Sequence, residues 1–349
     1  MIFNYNKIKK NNLPYIIAEI GVNHECSLKK AKKLILLAKK GGAHAAKFQS
    51  YKAKTLAQLK SKAYWDINKE KTKSQFELFS KFDKFNSTDY KNLSKFCKKS
   101  KIDFLCTPFD LESVNFLNSL VPAFKISSSD ITNYPLLERI SKTKKPVLLS
   151  TGASTLEEIK NATNILKKGS KKIVIMHCIL NYPTKDVDAN LAMISSLKKE
   201  FPEYLIGYSD HTLPNNQMTN LTTAYILGAK VIEKHFTDNK KAKGNDHYHS
   251  MDVNDLSLLM NNLKKIKLIT GNFQKKIVLE SELKSRKFAR RSIVVKTNIK
   301  KNSILKKEGL ITLRPNTGIS ANFWKKVIGK KVKKNLKANK PLSWKDIYI

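Results

Sequence analysis

Short runs of apolar and β-branched residues recur over the first 237 positions, at 15–21, 45–50, 104–109, 123–128, 146–152, 173–179, 205–211 and 231–237. Between them, apolar residues return at helical spacing, as at Leu28, Ala31, Leu34, Ile35 and Ala38, or Leu156, Ile159, Ala162, Ile165 and Leu166. That spacing places each set on one face of a helix. Ser154 with Glu157, and Ser87 ahead of Tyr90, read as helix starts, while Gly41, Gly169 and Gly228 read as helix stops. Eight strand-then-helix units predict an α/β fold of the (β/α)8 barrel type, whose strands are buried on both faces and therefore stay apolar throughout.

The pattern changes after residue 249. Residues 256–269 read as the last barrel helix with Gly271 as its stop, followed by a charged stretch and then a new unit containing a strand at 292–295 and extended pieces at 304–310 and 311–314. The expected division is a barrel over 1–272, a linker over 273–287 and a small domain over 288–349. About 60 residues make a modest core, so the small domain is expected to lean on the barrel or on a second subunit. The connection over 51–91 is long and rich in lysine and aromatic residues, which suits a cover for the barrel or a subunit contact.

Polar residues interrupt seven of the eight apolar runs: Glu19; Lys47 and Gln49; Thr107; Lys125 with Ser127 and Ser128; Ser150 and Thr151; Ser209 and His211; Glu233 and His235. Barrel active sites form at the carboxyl ends of the strands, where these residues fall. A charge buried in an apolar strand is costly unless it is paired or meets a ligand, so Lys47 and Lys125 mark a site, with internal pairing to Glu19 or Glu233 as the structural alternative. His211 and His235 end consecutive strands, and two imidazoles so placed can hold a divalent metal while leaving positions open for water and substrate.

The formal charge of +39 would ordinarily suggest a polyanionic partner. Arginine, however, occurs only at 139, 286, 290, 291 and 314, and the lysines are scattered over nearly every predicted helix. No specific nucleic-acid binding is expected, although such a surface can steer an anionic substrate. A noncatalytic polyanion-binding protein is the rival reading from another class. The cysteines at 26, 97, 106 and 178 show neither close pairing nor metal-finger spacing, as suits a reducing compartment. No run approaches the roughly 18 apolar residues of a membrane span, so a soluble, cytoplasmic chain is expected.

Taken in order, Ala18-Glu-Ile-Gly-Val-Asn-His24, Lys47-Phe-Gln49, Cys106-Thr-Pro-Phe109, Phe124-Lys-Ile-Ser-Ser128, Leu149-Ser-Thr-Gly152, Asn181-Tyr-Pro183, Tyr208-Ser-Asp-His-Thr212, Glu233-Lys-His-Phe236, Arg290-Arg-Ser and Arg314-Pro with Thr317-Gly-Ile319 span almost the whole chain. This set resembles the sialic acid synthases and their relatives that make other nonulosonic acids, legionaminic acid synthases included. The resemblance implies a phosphoenolpyruvate-condensing barrel followed by an SAF domain, an antifreeze-like β-clip module. It also implies a domain-swapped homodimer in which the SAF domain of one subunit closes the barrel of the other.

The residue types suit that chemistry. Lys47, Thr107, Lys125, Ser128, Ser150 and Ser209 offer cations and hydroxyls to a phosphate and a carboxylate. A divalent ion, Mn2+ or Mg2+, on His211 and His235 would polarise the aldehyde of an open-chain, N-acetylmannosamine-like amino sugar. Glu19 and Glu233, with Lys125, are the candidate catalytic groups. The resemblance further implies sugar contacts from Gln49, Tyr182 and Asp246, and from Arg314 to the N-acyl group across the dimer. Rival reactions are the legionaminic, pseudaminic and 3-deoxy-ulosonate types of condensation. Three stretches depart from the family pattern: His24-Glu-Cys-Ser27 replaces the more usual His-Asn-Gly-Ser, Leu180 stands in place of a polar residue, and Gly244-Asn-Asp-His-Tyr-His249 adds His249. All three border the predicted sugar pocket and bear on which amino sugar is used.

Overall fold

The computed structural model describes residues 3–65, 67, 68, 70–244, 246–271 and 275–348. It divides into two compact units, 1–270 and 271–349. Residues 272–274, at the expected barrel–linker boundary, and Asn245, within the last motif quoted above, lie outside the described residues.

In the first unit eight parallel strands form one sheet: β1 (Tyr15–Gly21), β2 (Ala45–Ser50), β3 (Asp103–Pro108), β4 (Phe124–Ile126), β5 (Val147–Ser150), β6 (Ile173–Cys178), β7 (Leu205–Asp210) and β8 (Val231–His235). The hydrogen-bonded order runs β3-β2-β1-β8-β7-β6-β5-β4, and β3 lies against β4 to complete the ring. This is the (β/α)8 architecture read from the apolar runs. β4 is shorter than its run because residues Ser128–Asp130 turn into a 3-10 helix.

Side chains alternate along each strand between the barrel interior and the helix layer. Tyr15, Ile17, Ala45, Leu105, Ala123, Leu148, Val174, Met176, Leu205 and Val231 form one buried cluster with Phe3, Tyr5 and Ile8. The asparagine-rich start is thus structured, since the helix Tyr5–Lys10 contributes Tyr5 and Ile8 to this layer. Two residues further along, the same inward face carries Glu19, Lys47, Thr107, Lys125, Ser150 and Glu233, with Ser209 four residues past Leu205. The intervening positions, Ile16, Ala18, Ala46, Phe48, Phe104, Cys106, Leu149 and Ile206 among them, join the larger core with the helices.

Local signals set most helix ends, with shifts of one residue. The start near 154 is capped by Thr155 with Glu158, not Ser154 with Glu157, because Ser154 turns its hydroxyl to the Gly152 carbonyl. Likewise Asn86 with Asp89, rather than Ser87, caps Ser87–Lys99. Helix Leu28–Gly41 includes Gly41, and its left-handed stop is Gly42 at φ +100°. A Cβ on Gly41 would lie 2.7 Å from Leu256, so that glycine serves close helix packing.

The second unit pairs β9 (Ser292–Val295) antiparallel with β10 (Leu310–Leu313) around a core of Ile293, Val295, Leu305, Leu310, Val327 and Leu342. The segment read as linker contains the start of helix Leu283–Ala289. Among the described residues no helix is long and apolar enough to cross a membrane.

Candidate active site and metal centre

At the carboxyl end of the barrel, four buried charges interlock. Lys47 Nζ lies 2.7 Å from Glu19 Oε2 and 3.7 Å from Glu233 Oε1, and it donates to Thr107 Oγ1 at 3.0 Å. Lys125 Nζ lies 3.5 Å from Glu233 Oε1 and donates to Ser150 Oγ at 2.7 Å. Ser209 Oγ donates to Glu233 Oε1 at 3.0 Å, and Gln49 Nε2 donates to Glu19 Oε1 at 2.9 Å. The internal pairing weighed for the two lysines is therefore present, yet it leaves Glu233 Oε2 buried without a hydrogen-bond partner.

Burial works against charge throughout this cluster. At Lys47 the two glutamates outweigh it and hold the ammonium above its usual range. At Lys125 burial prevails over Glu233, with Lys47 adding to it, and the value falls below the ordinary lysine range. Burial likewise opposes charge on Glu233, but Lys125 and Lys47 bring it below the usual carboxylate range. Ser128, at the head of the 3-10 turn, accepts from Gly152 N at 2.9 Å and also bonds to the Cys178 thiol.

Beside this cluster opens a cavity of about 450 Å³, lined by Gln49, Tyr182, His235 and Asp246. The long 51–91 connection supplies one wall through Tyr51, Leu56, Tyr64, Trp65, Phe79 and Phe82, so it does cover the barrel mouth. These aromatic residues carried no individual site signal in the sequence. Asp130 also lines the cavity; its Oδ1 accepts from Asn133, whereas its buried Oδ2 has no hydrogen-bond partner.

A metal-compatible group sits at the cavity edge. Candidate ligand atoms of His235, Asp246 and His249 lie within 4.8 Å of one another. His235 Nδ1 is buried without a hydrogen-bond partner and lies 3.4 Å from Asp246 Oδ2. Burial and the neighbouring His249 and His211 keep His235 far below its usual range, hence neutral and able to offer a lone pair. Two imidazoles and a carboxylate suit a divalent cation, so the residues fit the expected metal. His211, expected as a ligand, stands next to this trio with its ring 5.6 Å from that of His235. Its Nδ1 faces the Ile179 carbonyl at 2.7 Å, a contact that orients the ring. Asp246, expected only as a sugar contact, and His249, noted only as an extra histidine, are the residues that the structure brings together with His235.

Arg314 lies in the second unit, exposed, just after β10. It is not among the residues the first unit assembles.

The NeuB family model matches residues 34–275, and the SAF domain model matches residues 290–347. The chain belongs to the NeuB family. It is 42% identical over 328 residues to the N,N'-diacetyllegionaminic acid synthase of Campylobacter jejuni, covering 92% of this chain and 96% of that one. The enzyme of the same name from Legionella pneumophila is 37% identical over 341 residues, covering 95% and 94%. Among solved structures, the N-acetylneuraminic acid synthetase of Leptospira borgpetersenii superposes with a TM-score of 0.68 at 33% identity, covering 79% of this chain and 91% of that one. The chain is accordingly an enzyme of the nonulosonic acid synthase type, a barrel with a carboxy-terminal SAF domain.

Proposed function

We propose that this enzyme condenses phosphoenolpyruvate with an open-chain, N-acylated amino sugar and water, releasing phosphate by C–O cleavage. The buried Glu19–Lys47–Glu233–Lys125 network opening beside a cavity of sugar size carries this reading. Lys47 and Lys125, with Thr107, Ser128, Ser150 and Ser209, bind the phosphate and carboxylate; each lysine already has a hydroxyl partner that orients it. Gln49, Tyr182 and Asp246 orient the sugar so that C3 of phosphoenolpyruvate forms the new bond to the aldehyde carbon. The cation developing at C2 is met by Glu233 or Glu19, one of which takes the proton of the incoming water. The C2–O bond of the resulting tetrahedral centre then breaks and phosphate leaves.

Mn2+ or Mg2+, held by His235, Asp246 and His249 with His211 adjoining, would supply Lewis acidity toward the aldehyde oxygen. Arg314 contacts the N-acyl group from the SAF domain of a partner subunit in a domain-swapped homodimer, where its planar multi-donor head suits an amide carbonyl. A cytoplasmic location belongs to the same reading. The aromatic wall and the legionaminic acid synthase relatives favour 2,4-diacetamido-2,4,6-trideoxymannose, whose methyl and acetyl groups can lie on apolar rings.

The test is phosphate release from phosphoenolpyruvate carrying an 18O label at its bridging oxygen. The panel comprises that sugar, N-acetylmannosamine and arabinose 5-phosphate, each with Mn2+ or chelator. Expected is Mn2+-dependent release with an N-acylated sugar, the label ending in phosphate. Label retained in the organic product, or release only with arabinose 5-phosphate, would overturn the reading.

A further inference from the structure

The turn after β1 is built against its own backbone preferences. Glu25 and Cys26 sit at φ +50° and +58°, the left-handed region that costs residues bearing a Cβ and that asparagine and glycine occupy more readily. The more usual Asn-Gly pair of such turns would fit here at lower cost. Glu25 uses the position to place its carboxylate between two donors, Lys30 Nζ at 2.8 Å and His247 Nε2 at 3.2 Å. His247 is 2% exposed, and its Nδ1 meets Thr237 Oγ1 at 2.8 Å. From the same turn, Asn23 Nδ2 donates to the Phe236 carbonyl at 3.0 Å and to Ser250 Oγ at 3.1 Å. The turn thus grips the loop after β8 on both sides of Asp246 and His249, at Phe236 before them and Ser250 after them, and in the middle at His247.

We infer that Glu25 and His247 form a latch that positions Asp246 and His249 as ligands, and that strain stored at Glu25 and Cys26 is retained for that purpose. Backbone strain persists where surrounding structure over-determines it, and it gathers at functional sites. Glu25 is half exposed, so its charge contributes little to stability. Its weight is geometric, because the loop carries two of the three clustered ligand candidates. Residues behind a metal's ligands typically govern affinity by 10–100-fold.

The inference rests on the metal centre proposed above, and its test separates the two. Mn2+ alone is titrated calorimetrically into metal-free wild type, E25A, E25Q, K30M and the double variant E25N/C26G, and each is melted in chelator. Wild type should bind Mn2+. E25A and E25N/C26G should bind it about tenfold or more weakly. E25Q, which can still accept from His247, should stay within about threefold of wild type, and K30M, which leaves His247 bonded, should match it. E25N/C26G should melt a few degrees higher than wild type, since the turn is relaxed. Wild-type Mn2+ affinity in E25N/C26G would overturn the latch, and a melting point no higher than wild type would overturn the stored strain. Failure of wild type to bind Mn2+ would remove the metal centre itself and the latch with it.

Discussion

Replacing Lys125 by methionine tests the charged network most directly, because the substitution keeps the volume and removes one of four buried charges. Glu233 Oε1 would keep Ser209 at 3.0 Å and Lys47 at 3.7 Å, but Lys47 is already committed to Glu19 at 2.7 Å. Unit charges 3.5 Å apart attract by about 5 kcal/mol at an effective dielectric near 20. Part of that is returned when the buried ammonium's desolvation is relieved, leaving a loss of about 3 kcal/mol, at the low end for a broken buried pair. For a barrel of this size that is roughly 6–12 °C in thermal melting. Turnover should fall by about 10²-fold or more, the usual scale for losing a preorganised charge-stabilising group. The double variant Lys125→Met/Glu233→Gln restores neutrality, so it should regain melting to within about 1 kcal/mol without regaining turnover. Scanning calorimetry and phosphate release report the two quantities separately. Wild-type melting of the single variant would refute the coupling, and turnover regained in the double variant would refute a chemical role for this pair.

Asp130→Asn addresses the carboxyl at the cavity wall whose Oδ2 lacks a partner and which burial, opposed by the bond from Asn133, holds above its usual 3.8. A raised carboxyl lowers stability once pH exceeds the unfolded value and has no effect below it, so the variant should melt above wild type at about pH 8 and level with it near pH 3. Equal melting at both would contradict the buried, half-satisfied assignment. Asp210 has the opposite sign: burial pushes it up, but Lys234 at 2.6 Å and the bonds from Thr212 and Tyr208 bring it below 3.8. Its contribution is therefore present above the unfolded value and lost as pH falls through the depressed one, so Asp210→Asn should melt about 3 kcal/mol less stably at neutral pH. That gap should narrow as pH falls below 3.8, and a gap unchanged in strong acid would refute the assignment. For the shared site, Arg314→Ala mixed with Glu233→Gln should recover activity in verified heterodimers, which hold one intact barrel facing one intact arginine. No recovery would exclude a domain-swapped site.

Much of the barrel was legible because a strand alternates its faces with a period of two, and that period is written in the residue types. Tyr15, Ile17 and Glu19 share one face, so the carboxylate of Glu19 follows its apolar neighbours inward, whereas Lys234 falls between Glu233 and His235. Lys234 pairs with Asp210, its direct register partner on β7, away from the Glu233 cluster. Helix starts were legible to within one residue, because Ser154/Glu157 and Thr155/Glu158 have the same spacing and only the local backbone chooses between them.

Residue order alone determined the eight strand-helix units, the inward polar residues at the strand ends and the family to which they belong, since each depends on spacing within one element or motif. Tertiary structure decided what those residues face. Loop closure after β8 brings Asp246 and His249 to His235, the 51–91 connection folds its aromatic side chains over the cavity, and Glu25 reaches His247 across 222 positions. Contacts between loops distant in the chain carry no period, so nothing in the local pattern announces them. They arise only when the barrel sets both loop ends in place.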